Sequence, residues 1–226
     1  MIIKKFFNPS LELQYCVGVS QINVDLKNFS KAIEIDSEKK ILNYIFSICK
    51  KLEGLDNQTT IQFLKDDYLL NQDHLFTACY HVLKTFFHGI NIANTKNLEL
   101  LLYLSANRQI NKALEAFGID YDEIKSEKLT YCIISTKNDV LDISQELNSI
   151  LKAKEIDISI NEENQDKLLR IKQYFMITDE QINVVLNSYK KINNQQERDL
   201  SIKFKVVYDL ICEKMSLLST EKISLD

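Results

Sequence analysis

Leu13-Gln-Tyr-Cys-Val-Gly-Val-Ser-Gln-Ile22 sets Leu13, Tyr15, Val17 and Val19 on one face, against Gln14, Cys16, Gly18 and Ser20 on the other. A period of two is the mark of a strand with one face turned to a core. Three further stretches read the same way: residues 1–7, ending at Asn8-Pro9; residues 60–64; and the β-branched and aromatic run Leu129-Thr-Tyr-Cys-Ile-Ile-Ser135. Ile156, Ile158 and Ile160 alternate as an edge strand. Helical patterns lie between these strands. One covers residues 37–52, with Ile41, Ile45, Ile48 and Leu52 as its stripe and Gly54 as its stop. Others are predicted over 73–88 (closed by Gly89), 97–106, 109–117 (closed by Gly118) and 139–152. Beyond these the chain is helical. Residues 163–175 precede Thr178-Asp-Glu-Gln181, which has capping-box spacing for a helix running to Ile192. After the polar linker at 193–196, Phe204, Val207, Tyr208, Ile211, Met215 and Leu218 recur at helical period. The expected class is α/β in the mixed α+β sense: a small, largely antiparallel sheet of about four strands covered by helices. Its expected domain is 1–192, followed by a helical extension over 193–226.

Composition supports this class. The 226 residues are 45% apolar and 27% charged, a globular balance. One proline and four glycines leave few breaks, which favours long helices over a many-turned sandwich. Five cysteines, Cys16, Cys49, Cys79, Cys132 and Cys212, are scattered through apolar runs and form no C-x-x-C pair. That pattern predicts free thiols in a reducing, cytoplasmic compartment and no zinc site. The first seven residues are too short an apolar run for a signal peptide, and nothing approaches a membrane span.

Signs of catalysis are missing. There is no G-x-S-x-G elbow, phosphate loop or dinucleotide fingerprint. Neither an enzyme activity nor a cofactor is expected. His74, His81 and His88 recur every seven residues on one predicted helix. Seven residues rise about 10 Å, too far for neighbours to share one ion, so they read as a solvated face rather than metal ligands.

Two features stand out instead. On residues 73–88 the apolar positions sweep from Ala78 and Val82 through Leu75 and Cys79 to Phe76, Phe87 and Tyr80, a wider arc than one core requires. In the next helix, Leu98 and Leu100 to Leu104 (with Tyr103 among them) are interrupted only by Glu99. Either these helices are wrapped by their own domain, or part of the surface is closed by another protein. Phe76, Tyr80, Phe87, Leu98 and Leu102 are the candidate partner-binding residues. The second feature is a basic island, Lys84, Lys96, Arg108 and Lys112 against Glu99 alone, in a chain of net charge −4. It suits phosphate, although cations near helix C-termini also compensate the helix dipole.

Gly89-Ile-Asn-Ile-Ala-Asn94, then Leu98-Glu-Leu-Leu-Leu-Tyr-Leu-Ser-Ala-Asn-Arg-Gln-Ile110, then Lys112-Ala-Leu-Glu-Ala-Phe-Gly118, resembles the central signature of the TPRKB-like (PRPK-binding, CGI-121 type) accessory subunits of the KEOPS tRNA-modification complex. The resemblance covers roughly residues 1–160 by order of elements and about thirty residues by motif; it thins after Ile182. It implies a mixed sheet with helices around it and a non-catalytic role. Such subunits bind the small atypical kinase of KEOPS, which works with the Kae-type catalytic subunit to install threonylcarbamoyl on the adenosine beside the anticodon. Archaeal relatives hold the single-stranded CCA end of tRNA. By that resemblance Arg108 and Gln109 match the family's turn. Lys84, His88, Lys96 and Lys112 complete the candidate RNA-binding set. A free-standing single-stranded RNA-binding protein without a kinase is the competing reading.

Overall fold

The computed structural model describes residues 1–9, 12–25, 29, 37–55, 58–193 and 200–223. In chain order its elements are β1 (Ile2–Asn8), β2 (Leu13–Val24), α1 (Glu38–Glu53), β3 (Thr59–Leu64), α2 (Gln72–His88), α3 (Lys96–Ser105) and α4 (Ile110–Phe117). There follow α5 (Tyr121–Lys125), β4 (Lys128–Ser135), α6 (Val140–Ile150), β5 (Ala153–Ile156), α7 (Gln165–Tyr174), α8 (Asp179–Asn193) and α9 (Leu200–Ile223). The class is mixed α+β, as expected, with five strands where about four were read. The linker beyond Asn193 lies outside the described residues.

The chain forms two compact units. Unit 1 holds Met1–Asp66, Thr95–Asn97 and Phe117–Ile158; unit 2 holds Asp67–Asn94, Leu98–Ala116 and the described residues from Ser159 on. α7, α8 and α9 belong to the same unit.

Unit 1 is built on one antiparallel sheet of order β1-β2-β4-β3. β2 is central: Lys4 faces Val17 on one side, and Val17 faces Ile134 on the other. β4 occupies one edge of β2 from Cys16 to Asn23, so β1 and the short β5 share the other edge in succession. This position corrects the one-faced reading of β2. Residues 15–22 are buried on both faces, Ser20 and Gln21 included. Gln21 survives there because its side-chain amide donates to Asp66 Oδ2 and to Thr130 Oγ1 at 3.0 Å. On one face Cys16, Ile22, Phe63, Tyr131 and Ile133 pack with Ile45 of α1 and Val140 and Leu147 of α6. α6 comes so close to β2 that a Cβ on Gly18 would lie 2.5 Å from Val140 Cγ1. The glycine is therefore a packing requirement.

β3 is the far edge strand, and its outer side is clipped. Glu53 Oε1 accepts from Ile61 N–H at 2.7 Å, Asn97 Nδ2 donates to Ile61 C=O at 2.9 Å, and Gln62 Nε2 donates to Phe63 C=O. Leu64 forms a bridge with Gly118, and Lys65 N–H donates to Phe117 C=O at 3.0 Å. Groups that an edge would leave to water or to another chain are thus used internally.

In unit 2, α2 carries most of the interior. Asn71 caps its first turn by accepting from His74 N–H at 3.0 Å, and Gly89, at φ 67°, ends it in the left-handed conformation. α9 packs along α2, where Thr77 and Tyr208 hydroxyls meet at 2.7 Å. The expected capping box at α8 is present: Thr178 Oγ1 accepts from Gln181 N–H, and Gln181 Oε1 accepts from Thr178 N–H. Among the described residues no helix is long and apolar enough to cross a membrane.

Candidate functional site

The signature stretch folds around one carboxylate. Glu99, fully buried in α3, accepts from Thr85 Oγ1 at 3.1 Å, from Ile92 N–H at 2.9 Å and from Ala93 N–H at 2.7 Å. The glutamate that interrupts an apolar helix therefore supplies the acceptors for the turn after Gly89. It fixes how α2 ends and α3 begins.

α2 and α3 run antiparallel. Near the start of α2, His74 Nε2 donates to Leu104 C=O at 3.1 Å; near its end, Thr85 meets Glu99. The second signature element, the turn joining α3 to α4, therefore lies at the start of α2. In that turn Ala106 takes φ 46°, Asn107 N–H donates to Leu102 C=O, and Asn107 Oδ1 accepts from Gln109 N–H at 2.8 Å. Arg108 is half-buried, and its Nη1 donates to Leu218 C=O of α9 at 3.2 Å. The guanidinium is thus already used to hold the last helix, close to the helix-end role that the sequence left open.

This geometry divides the predicted RNA-binding set. Lys84 and His88 lie on the last turns of α2, and Arg108, Gln109 and Lys112 at the opposite end. From His74 to His88 the helix rises about 20 Å. Lys96 opens α3, half-buried. Gln109, Lys112 and His88 are exposed and Lys84 is half-buried.

The partner-binding set also separates. Leu102 is fully buried and Phe76 is 4% exposed, so both are interior residues of unit 2 and present nothing to a partner in this structure. Tyr80 and Leu98 are half-buried, while Phe87 is 59% exposed. Lys84 lies four residues from both Tyr80 and His88 and three from Phe87, so these side chains border one another on α2. Most of the wide apolar arc is therefore absorbed within the chain, and only its last turn stays open.

The histidines need a correction. His74 and His81 are buried, not on a solvated face; only His88 is exposed. His74 Nδ1 accepts from Leu70 N–H at 3.3 Å, which puts its proton on Nε2. His81 stacks on Tyr103 with ring centroids 4.9 Å apart. Burial pushes both imidazoles down to about 4, with His81 also repelled by Lys84. A seven-residue interval keeps side chains on one helix face, and here that face is interior until the final turn. Among the described residues no group of three or more His, Cys, Asp or Glu side chains is placed to hold a metal ion.

Sequence reasoning missed Glu99 as an organiser and Asn97 as an edge clip. A signal for the first was available, because a glutamate inside an apolar helix is almost never buried without partners. A family model described as kinase binding protein CGI-121 matches residues 25–218, through most of α9. No individual curated protein matches the chain.

Proposed function

The chain belongs to the CGI-121 family of kinase-binding proteins, and on that premise we propose that it is a non-catalytic subunit of KEOPS. In this reading it works in the cytoplasm and docks on the small atypical kinase of that complex. Through the kinase it serves the Kae-type subunit in threonylcarbamoylation of the adenosine beside the anticodon. It also holds the single-stranded CCA end of tRNA. The observation that carries the reading is the family match over residues 25–218. The exposed last turn of α2 supports a docking surface there: Phe87 is a large ring in water, on a helix end that Glu99 holds in place.

Co-expression with the cognate small kinase, followed by gel filtration, tests it. Wild type is expected to co-elute with the kinase. Phe87→Ala is expected to weaken the complex by ~2 kcal/mol, the scale of an interface anchor, with an unchanged melting curve. Leu102→Glu is unsuitable, because a buried charge would unfold unit 2. Normal co-elution of Phe87→Ala moves the docking surface off α2, and failure of wild type to co-elute sinks the kinase reading. Binding to tRNA without kinase binding would instead favour the free-standing RNA-binding protein.

A further inference from the structure

Unit 1 carries an open groove of about 500 Å³ at one end of the sheet, lined by β1, β2 and the loop between β4 and α6. Its lining includes Lys5, Phe7, Gln14, Thr136, Lys137 and Asn138, and no carboxylate. The register explains why these side chains meet. Phe7 faces Gln14, Lys5 faces Cys16, and Cys16 faces Ser135 on its other side, one residue before the loop. Side chains of a strand alternate, so Lys5 and Phe7 share the face that leads across Cys16 to that loop. Phe7 is 60% exposed, whereas its neighbour Phe6 is stacked on Tyr15 at 5.0 Å, with the Lys4 ammonium 5.4 Å from its centroid. Phe6 thereby anchors the strand, and Phe7 offers its ring to solvent. Lys5, Gln14, Lys137 and Asn138 are exposed beside it.

We infer that this groove holds a segment of single-stranded RNA, with a base laid on Phe7, flanking phosphates against Lys5 and Lys137, and the Gln14 and Asn138 amides at base edges. An aromatic face next to lysines in an open trough is the arrangement that binds single strands. The charge complementarity is one-sided, since the lining offers cations and amides but no anion. A free nucleotide would need a pocket that encloses most of its surface, and this trough is open. The inference rests on the RNA part of the function proposed above, but concerns a surface distinct from Arg108 and α2.

The test uses the 226-residue chain and a fluorescently labelled, pyrimidine-rich RNA octamer, read by anisotropy at low salt. Phe7→Ala is expected to weaken binding about tenfold and Phe7→Tyr, which keeps a ring, to retain it. The double variant Lys5→Glu, Lys137→Glu is expected to weaken binding further and to flatten its salt dependence. All these positions are exposed, and circular dichroism is the check that each variant folds. If wild type binds the octamer and the groove variants bind equally well, the groove inference falls while the RNA reading stands. If wild type binds neither the octamer nor intact tRNA, both fall. If AMP competes as strongly as the octamer, the site is a nucleotide pocket and the single-strand inference is overturned.

Discussion

Glu99 shows how much one side chain can decide. A buried carboxylate is tolerated only when its oxygens are satisfied, and here a hydroxyl and two amides, from Thr85, Ile92 and Ala93, supply the donors. Glu99→Ala leaves the two amides without their acceptor, each a loss of about 1–3 kcal/mol. The variant is therefore expected to unfold at markedly lower urea. Glu99→Gln keeps the shape and one acceptor oxygen and should lose less than Glu99→Ala. Equal urea midpoints for wild type and Glu99→Ala would contradict the account. The sequence showed Glu99 only as the interruption of an apolar helix, and its donors sit 6, 7 and 14 residues upstream. No periodicity reports such distant partners.

At the scale of the element, α2 makes stability depend on pH. His74 and His81 protonate near pH 6.5 when unfolded but only near 4 when folded, because burial disfavours the charged ring. Stability is therefore full above about pH 6.5 and falls as pH drops towards about 4, by at most ~1.4 kcal/mol per unit for each group. Denaturant midpoints measured across that window should decline steadily, and His81→Phe, which keeps a ring against Tyr103, should roughly halve the slope. A flat profile in wild type would mean that neither histidine is buried in solution. Most elements were legible because each carried its own period or cap: α1 its Ile41, Ile45, Ile48 stripe, α2 its Gly89, α8 its Thr178 box. The failures have separate causes. β2 looked half-buried because Gln14, Gly18 and Ser20 read as a solvent face, yet residues 15–22 are buried on both faces of the sheet. α5 is five residues long, capped by Asp120 and Glu123, and too short to show a period. β5 ends at Ile156, so Ile158 and Ile160 lie outside the strand their alternation suggested.

For the molecule as a whole, the five cysteines are free, four of them buried and Cys212 half-buried. Alkylation in denaturant without reductant should therefore modify five thiols. In the native state Cys212 should react first and the others only as fast as the protein opens; early modification of Cys49 or Cys132 would contradict the burial. The candidate site was less legible than the fold. Sequence placed Lys84, Lys96, Arg108 and Lys112 in one basic island because they are near in the chain, but an antiparallel helix pair carries Lys84 to the opposite end of unit 2 from Arg108 and Lys112. The groove around Phe7 went unread for the converse reason: residues 5 and 137 are distant in sequence and adjacent only through the register of the sheet. The clipped edge of β3 bears on how this protein behaves when crowded. Growth of a β-polymer requires each molecule to accept a strand on one side and offer one on the other. With Glu53, Asn97, Gln62 and the Phe117–Gly118 segment occupying β3, the edges left among the described strands are β1 and the four-residue β5, which lie in succession along the same side of β2. Edge pairing of intact molecules is thereby confined to that one side of the sheet, and β3 offers no second edge on which the sheet could be extended.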